Sequence, residues 1–212
     1  MFNLDIVTIV IIVANVVVSF KGFNDYMFRG NYLFNIAGIQ RGEQYRFFTS
    51  GFLHANQSHL FFNMLTLFFF AGTVVYKLGD IKFLIIYLAS LLGGNLLSYF
   101  IHKDEYHYSA LGASGAVSGI VYSAILLEPT MRIYFGIPGW LFGIGYLIYS
   151  FYGMKKLNDN IGHDAHFGGA VVGVLLTLVY DLNLIYTNTI TVIAMFITII
   201  VLFILMKFVK NV

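Results

Sequence analysis

Seven long apolar segments, separated by shorter polar stretches, run along this chain of 212 residues. Most approach the roughly 20 apolar residues that an α-helix needs to cross a bilayer. The fourth and sixth segments are short and rich in glycine and alanine, which is typical of helices at the centre of a membrane bundle. The pattern predicts seven membrane-spanning helices, at about 4–20, 58–77, 81–101, 113–128, 132–152, 164–181 and 187–208.

The composition supports a polytopic membrane protein of the all-α class. Hydrophobic residues make up 59% of the chain and charged residues only 10%, whereas soluble domains are about 25% charged. No internal repeat is visible, which disfavours a transporter built from inverted repeats. We therefore expect residues 1–212 to form a single integral-membrane domain.

Several function classes are excluded by what the chain lacks. It has no cysteine, so neither a disulfide framework nor thiolate chemistry is available. Its net charge of +2 is too small to indicate nucleic-acid binding. The first apolar segment has no basic flank before it and no A-x-A site after it, so we expect a retained transmembrane helix rather than a cleaved signal peptide.

The connection between the first two helices, residues 21–57, is long and rich in aromatic side chains. Such a composition is typical of a segment that lies at the membrane interface or is partly embedded in it. Arg46 lies among these aromatic residues, where it could anchor the connection to backbone carbonyl groups or to lipid head groups.

Three of the predicted helix starts carry polar residues. Because successive membrane helices alternate in direction, the starts of the second, fourth and sixth helices lie on one face of the membrane. The second helix begins near His59 and Asn63, which are four residues apart and therefore share one helix face. The fourth begins at Ser114 and the sixth near His166. We expect these four residues to lie close together.

Ser114 lies among small residues at the start of the fourth helix, in the run Gly112-Ala113-Ser114-Gly115. Gly112 and Gly115 allow another backbone or a substrate to approach the hydroxyl group. The N-terminus of a helix also favours a developing negative charge. The run continues into Gly115-x-x-x-Gly119, however, which is a pattern that packs membrane helices together. These residues alone support both a nucleophile and a packing motif.

A serine becomes a nucleophile only with a base beside it, and His166 is the candidate. Acyl transfer also needs hydrogen-bond donors for the oxyanion, which His59, Asn63 and the backbone N–H of Ser114 could supply. Asp164 precedes His166 by two residues and so points off that helix face. We therefore interpret the site as a Ser–His dyad without a third, acidic member.

Four motifs carry a resemblance to a known family. They are H-A-N-Q-S-H-L-F-F-N at 54–63, G-A-S-G at 112–115, A-H-F-G-G at 165–169, and Tyr45-Arg46 in the long first connection, which is similar to a Trp-Arg element. In this order and on this side of the membrane, they resemble the rhomboid family of intramembrane serine proteases. The resemblance covers about residues 40–170.

The resemblance implies a six-helix rhomboid core at about residues 1–181, with a seventh transmembrane helix at about 187–208. It implies a serine endopeptidase that cleaves membrane proteins in or beside a transmembrane helix, within a water-filled cavity open to the extracytoplasmic face. The expected partners are transmembrane protein substrates and the lipid bilayer, with no cofactor, metal ion or nucleic acid. The expected location is the cell (plasma or inner) membrane, as a multi-pass protein.

The resemblance also assigns roles to individual residues, and the sequence departs from the family pattern at two positions. Tyr45 stands in place of the usual tryptophan. Ser118 occupies the position where some members carry an aromatic residue that stacks on the catalytic histidine. The implied roles are nucleophile for Ser114, general base for His166, oxyanion hole for His59 and Asn63, substrate or structural support for Gly112 and Gly115, and support of the first connection for His54 and Arg46.

Two other functions are compatible with the sequence. A catalytically inactive relative would bind membrane client proteins without cleaving them. A histidine-lined metal site is less favoured, because neither H-E-x-x-H nor a paired carboxylate accompanies the histidines. That site would use His54, His59, His163 and His166.

Two further expectations concern loops. Residues 153–163 contain glycines near both ends and follow the fifth helix, so we expect them to move with that helix as a cap that admits substrate. His102 and His107 lie in the polar stretch 102–110, where we expect them to be solvated.

Overall fold

Helices occupy all seven of the predicted apolar segments in the computed structural model, which describes residues 5–133, 136–156 and 162–209. Two short antiparallel ladders accompany them, β1 (Phe34–Asn35) with β2 (Ser109–Ala110) and β3 (Arg132–Ile133) with β4 (Ile137–Pro138). The helices are α1 (Ile6–Asn24), α2 (Tyr26–Tyr32), α3 (Ile36–Gln40), α4 (Arg46–Thr49), α5 (Gln57–Leu78), α6 (Asp80–His102), α7 (Ser114–Leu127), α8 (Gly139–Lys156), α9 (His163–Tyr180), α10 (Leu184–Thr187) and α11 (Thr189–Val209).

The prediction of an all-α, multi-pass membrane bundle is confirmed. Within the described residues, α1, α5 and α6 are long and apolar enough to cross a membrane by length and composition alone. Shorter apolar helices lie at Ser114–Leu127, Gly139–Ile148 and Thr189–Leu205. Helices α1, α5, α6, α7, α8 and α9 form the six-helix core, and α11 is the seventh long helix.

The fifth long helix begins later than the predicted position 132. Arg132–Ile133 and Ile137–Pro138 pair as β3 and β4 instead, and Gly136 has a φ of 77°. Glycine is the residue that adopts such a positive φ without steric cost. The helix α8 therefore starts only at Gly139, where the backbone N–H donates to the carbonyl of Met131.

The centre of the bundle is α7, in which every residue from Gly115 to Leu127 is buried. It packs against α5, α6 and α9. A helix that is apolar on all sides is stable only when other helices surround it completely. The expectation that the short, glycine-rich fourth helix occupies the middle of the bundle is thus confirmed.

Glycines bring α7 and α9 into backbone contact. A Cβ atom built on Gly169 or Gly173 would overlap the backbone carbonyl oxygens of Gly115 and Gly119, respectively. A Cβ atom on Gly115 would lie 3.1 Å from the carbonyl oxygen of Ala165. The packing interpretation of the Gly115-x-x-x-Gly119 pattern is therefore correct, and this contact places the first turn of α9 beside the start of α7.

Replacing Gly169 by alanine is expected to destabilise the protein by about 1–3 kcal/mol, the usual cost of overpacking a core. The added methyl group would meet the backbone of Gly115, which cannot rotate away as a side chain can. Thermal unfolding in detergent micelles measures the effect. Gly72→Ala on α5 is the matched control, because nothing lies within 4 Å of its Cβ position. Equal unfolding temperatures for the two variants would contradict the contact.

The connection between α1 and α5 is ordered and contains α2, α3, α4 and a 3₁₀ turn at Ser50–Phe52. A small apolar cluster of Phe34, Ile36 and Ile39 holds it together, with Phe47 and aromatic residues from α6 and the β2 loop packed around the cluster. Because β1 pairs with β2, the connection is also tied to the segment that leads into Ser114.

Arg46 is the polar anchor of this connection. Its side chain is buried, and Nη1 donates to the carbonyl oxygens of Gly30 and Leu33 at 2.9 and 2.8 Å. Its Nε donates to Glu43, and this hydrogen bond holds the pKa of the Glu43 carboxyl below its usual value. Of the two anchoring modes anticipated for Arg46, the structure has the one to backbone carbonyl groups.

Candidate active site

A cavity of about 220 Å³ lies between the starts of α5, α7 and α9 and the middle of α8. Four of the predicted site residues line it together, although they are far apart in the sequence. The rest of the lining is mostly apolar, as expected for a site within a membrane bundle. The cavity is lined by His59, Phe62, Asn63, Thr66, Ser114, Val117, Ser118, Val121, Phe142, Tyr146 and His166.

A larger cavity, of about 690 Å³, lies at the opposite ends of α5, α7 and α9. It is wide and open, and its charged lining residues are Lys77, Glu128 and Asp181. Lys77 and Glu128 form an ion pair at 3.7 Å. None of the residues with acyl-transfer chemistry lines it, so size alone does not identify the reactive site here.

Ser114 is the first residue of α7, and Gly112 shapes the backbone in front of it. Gly112 has a φ of 138°, and its N–H donates to the carbonyl oxygen of Ser50. A Cβ atom at Gly112 would lie 2.7 Å from the imidazole Cε1 of His59 and 3.7 Å from Ser114 Oγ. The serine hydroxyl and the His59 ring thus flank the same small space, which only glycine leaves open.

His166 is buried in the first turn of α9, and its ring is held from the side by Tyr146 of α8. The hydroxyl of Tyr146 lies 2.9 Å from His166 Nδ1. The two rings are nearly parallel, at 17°, with centroids 5.7 Å apart. With Nδ1 in contact with Tyr146, the other ring nitrogen, Nε2, is the one that can accept a proton from a serine.

His59 and Asn63 lie one turn apart near the start of α5, which the side chain of Asn56 caps by accepting from the His59 N–H. The N–H of Ala55 donates to His59 Nδ1 at 3.4 Å. A neutral histidine that accepts at Nδ1 carries its proton on Nε2. The side-chain amide of Asn63 donates one hydrogen to the carbonyl of His59 and carries a second hydrogen that can also be donated. Both side chains can therefore donate hydrogen bonds into the cavity.

His54 connects α1 to the residue that precedes Ser114. The Ala113 N–H donates to His54 Nε2 at 3.4 Å, and His54 Nδ1 lies 2.8 Å from Ser19 Oγ. Ser19 Oγ in turn donates to the carbonyl of Phe52. This chain of bonds requires a neutral imidazole with its proton on Nδ1. Burial, assisted by the nearby His59, lowers the pKa of His54 to about 3 and so favours that form.

Acidification is expected to weaken the fold through His54. Its pKa falls from 6.5 to about 3 on folding, so the unfolded chain binds the extra proton first as the pH drops. The free energy of unfolding is unaffected by this group above pH 6.5 and falls by about 1.4 kcal/mol per pH unit below it, until about pH 3.

Thermal unfolding at pH 7.5, 6.5, 5.5 and 5.0 measures this slope. The variant His54→Gln removes the titration and should flatten the dependence, whereas His107→Gln, at an exposed position, should leave it unchanged. Identical slopes for the wild type and His54→Gln would show that His54 does not titrate as the burial requires.

Four predicted residues lie outside the cavity lining. Gly112 approaches His59, and His54 accepts a hydrogen bond from the residue before Ser114. Gly115 packs on α9, and Arg46 anchors the first connection.

The prediction that His102 is solvated is wrong. Its ring stacks on Tyr108 at 3.7 Å, and its Nε2 lies 3.5 Å from the buried carboxylate of Asp164.

Asp164 faces away from the cavity. Its two carboxylate oxygens meet His102 Nε2 and the hydroxyl of Tyr108, which belong to the end of α6 and to the loop before β2. This position agrees with the expectation that Asp164 is no third member of a catalytic triad. It instead fastens the start of α9 to the loop that precedes Ser114.

The four histidines of the metal-site alternative form two separate pairs. The His54 and His59 rings are 5.0 Å apart, and the His163 and His166 rings are 5.7 Å apart. In the part of the chain that the structure describes, no group of three or more His, Asp or Glu side chains could hold a metal ion. The geometry of the described residues therefore does not favour the metal-site alternative.

The anticipated cap at residues 153–163 lies partly outside the described residues, which omit 157–161. Its first part, through Lys156, belongs to α8.

Tyr146 is a site residue that the sequence analysis did not predict. A tyrosine and a phenylalanine at positions 146 and 142 of a predicted apolar helix were the only available signal, and it resembles ordinary lipid-facing or core aromatic residues.

Comparisons with known proteins agree with this architecture. Residues 41–183 match the rhomboid domain family. The chain is 30% identical over 187 residues to RHOMBOID-like protein 12, mitochondrial, of Arabidopsis thaliana, an alignment that covers 79% of this chain and 55% of that protein. It is 34% identical over 142 residues to the putative rhomboid protease YdcA of Bacillus subtilis (strain 168), which covers 66% of this chain and 69% of that protein.

A third relative, the rhomboid protease AarA of Providencia stuartii, is 29% identical over 161 residues, or 66% of this chain and 57% of that protein. The chain thus spans between about half and two thirds of the length of these relatives. The matched region includes α5 to α9 and so contains every residue that lines the cavity. On this match and on its helical architecture, the chain belongs to the rhomboid family.

Proposed function

We propose that this protein is an intramembrane serine endopeptidase that cleaves transmembrane proteins with a Ser114–His166 dyad. The observation that supports this most strongly is the cavity between α5, α7, α8 and α9. It is lined by a serine, a histidine and two further hydrogen-bond donors, in an otherwise apolar setting. The rhomboid family includes serine proteases that act on transmembrane substrates, in keeping with the proposed reaction.

In the first half of the reaction, Ser114 Oγ attacks the carbonyl carbon of the scissile peptide bond while its proton passes to His166 Nε2. The negative charge that develops on the carbonyl oxygen is stabilised by Asn63 Nδ2–H, by His59 Nε2–H and by the positive end of α7. His166 then returns the proton to the leaving amine. The C–N bond breaks and an ester of Ser114 remains.

In the second half, a water molecule attacks the ester and gives its proton to His166 Nε2. The same donors stabilise the second oxyanion. When this intermediate collapses, the C–O bond to Ser114 breaks and the proton returns to Ser114 Oγ. The carboxylic acid product leaves, and the dyad is restored without any cofactor.

The substrate class follows from the surroundings of the cavity. The cavity lies at the starts of α5, α7 and α9, between apolar helices of the membrane bundle. A segment in or beside a transmembrane helix fits this position. For the location, we propose the cell (plasma or inner) membrane. Relatives in plants carry mitochondrial or chloroplastic names, so fractionation of the native cells is the measurement that checks it.

Covalent labelling with a fluorophosphonate probe tests the proposal directly. The probe forms a bond with an activated serine and needs no knowledge of the natural substrate. Purified wild-type protein should be labelled, and both Ser114→Ala and His166→Ala should lose the label. Circular dichroism and unfolding temperature establish that the variants remain folded.

Absence of labelling and of cleavage in the folded wild-type protein would refute the protease and favour the second function, a relative that binds membrane client proteins without cleaving them. Activity that a chelator abolishes, together with a stoichiometric metal in the purified protein, would refute the metal-free dyad.

A further inference from the structure

We propose that Tyr146 of α8 positions His166, by accepting a hydrogen bond from its Nδ1–H and so selecting the imidazole tautomer that acts as the base. This inference rests on the proposed function and adds a third residue to the site. Tyr146 acts through His166 and is therefore a positioning residue.

The first argument is geometric. The distance of 2.9 Å between Tyr146 Oη and His166 Nδ1 is that of a good hydrogen bond. The rings lie nearly parallel at 17° with their centroids 5.7 Å apart, so the phenol meets the imidazole at its Nδ1 edge. Phe142, one turn earlier on α8, stacks on Tyr146 at 14° and supports it from behind.

The second argument is chemical. A neutral imidazole has one N–H, and it can take a proton from Ser114 through Nε2 only if that N–H is on Nδ1. An acceptor at Nδ1 therefore selects the reactive tautomer. In serine proteases with a triad, a buried aspartate does this. Here the polar atom at Nδ1 is the phenol oxygen of Tyr146, which selects this tautomer when it accepts the hydrogen bond and does not donate it.

The third argument concerns the membrane. A buried carboxylate with apolar surroundings carries a large desolvation cost unless it is fully paired. A phenol accepts the same hydrogen bond without a formal charge. The acidic group closest in sequence, Asp164, is engaged by His102 and Tyr108 outside the cavity. A neutral acceptor suits a base located between membrane helices.

The fourth argument is that α7 offers no substitute. One turn after Ser114, the residues of α7 that line the cavity are Val117 and Ser118, and neither carries an aromatic ring. The aromatic contact with His166 comes from α8 instead. The orientation of His166 on α9 therefore depends on the position of a third helix, α8, which also forms a cavity wall through Phe142.

The test compares Tyr146→Phe, which keeps the ring and removes the acceptor, with the wild type. We expect kcat to fall about 10- to 100-fold, the cost typical of removing a hydrogen-bond partner that orients a metal-bound histidine. KM should be nearly unchanged. Loss of the acceptor also makes the protonated His166 less stable, so the acid limb of the kcat/KM profile should move to lower pH. Tyr76→Phe is the matched control, because it removes the same hydroxyl group at an exposed position of α5 that does not line the cavity.

A spectroscopic measurement provides a readout independent of turnover. In protein labelled with ¹⁵N-histidine, the His166 signals, identified by their loss in His166→Gln, should show the Nδ1–H tautomer in the wild type and a mixture in Tyr146→Phe. A wild-type rate, or a lowered rate with an unmoved acid limb and an unchanged tautomer, would overturn the inference. If the wild type is active, such a result contradicts only the role of Tyr146 and not the proposed protease function. An inactive wild type would instead contradict the proposed protease function.

Discussion

Replacing Ser114 by alanine is expected to reduce cleavage of a reporter transmembrane substrate by about 10⁴–10⁶-fold, the loss seen when a serine nucleophile is removed. Among the described lining residues, Ser118 lies one turn deeper in α7 and Thr66 donates to the carbonyl of Phe62. The hydroxyl of Tyr146 lies against His166 Nδ1, so none of these groups is placed to replace Ser114 Oγ. His166→Ala should have an effect of similar size. The rate of product formation, followed in detergent micelles and in liposomes, measures both.

The combination of the two substitutions sharpens this expectation. Residues that act as one unit give non-additive losses, so Ser114→Ala/His166→Ala should be no slower than Ser114→Ala alone. Ser118→Ala is the matched control, since Ser118 lines the same cavity and is buried, and it should remain within a few fold of the wild type. Two losses that multiply in the double variant would indicate that Ser114 and His166 act independently and would contradict the dyad.

Replacing Asn63 by alanine is expected to lower kcat by about 10²–10³-fold, which is the usual cost of removing one oxyanion donor. The fold should be little affected, because the hydrogen bond that Asn63 makes is to the carbonyl of His59 in its own helix. KM should change little, since the oxyanion exists only after attack by the serine. Kinetics of the reporter substrate and the unfolding temperature separate the two effects.

Thr66→Val is the control for this substitution. Thr66 lies one turn after Asn63, lines the same cavity and also donates to a carbonyl of its own helix. It is not among the proposed oxyanion donors, so the valine variant should keep most of its activity. If Asn63→Ala and Thr66→Val were equally impaired, general disturbance of α5 would explain both, and Asn63 would have no special role at the oxyanion.

Much of the fold was predictable because a membrane imposes strong rules on the sequence. The apolar segments had to be helices, since no other open structure satisfies its backbone groups in lipid. Helix direction then brought Ser114 and His166 to one side of the bundle. The Gly115-x-x-x-Gly119 pattern predicted a close helix contact because a close approach of two backbones leaves no room for a Cβ atom, and the structure shows α9 as the partner.

The parts that could not be predicted depend on contacts between distant residues. The predicted helix start at position 132 was wrong because the paired strands β3 and β4 precede α8, which starts at Gly139, and the apolar pattern does not distinguish a strand from a helix there. The environment of His102 depends on Tyr108 and Asp164, which no local pattern links. Tyr146 was hidden for the same reason: only the packing of α8 against α9 shows that its hydroxyl group faces His166.

The burial of α7 from Gly115 to Leu127 divides the site into an enclosed part and a part near the surface of the bundle. Ser114 opens the enclosed helix, whereas α5 and α8, which carry His59, Asn63 and Tyr146, have exposed faces. In the proposed protease, substitutions on those exposed faces should therefore change the rate of cleavage through the oxyanion donors and the tautomer of His166, while the nucleophile keeps its position.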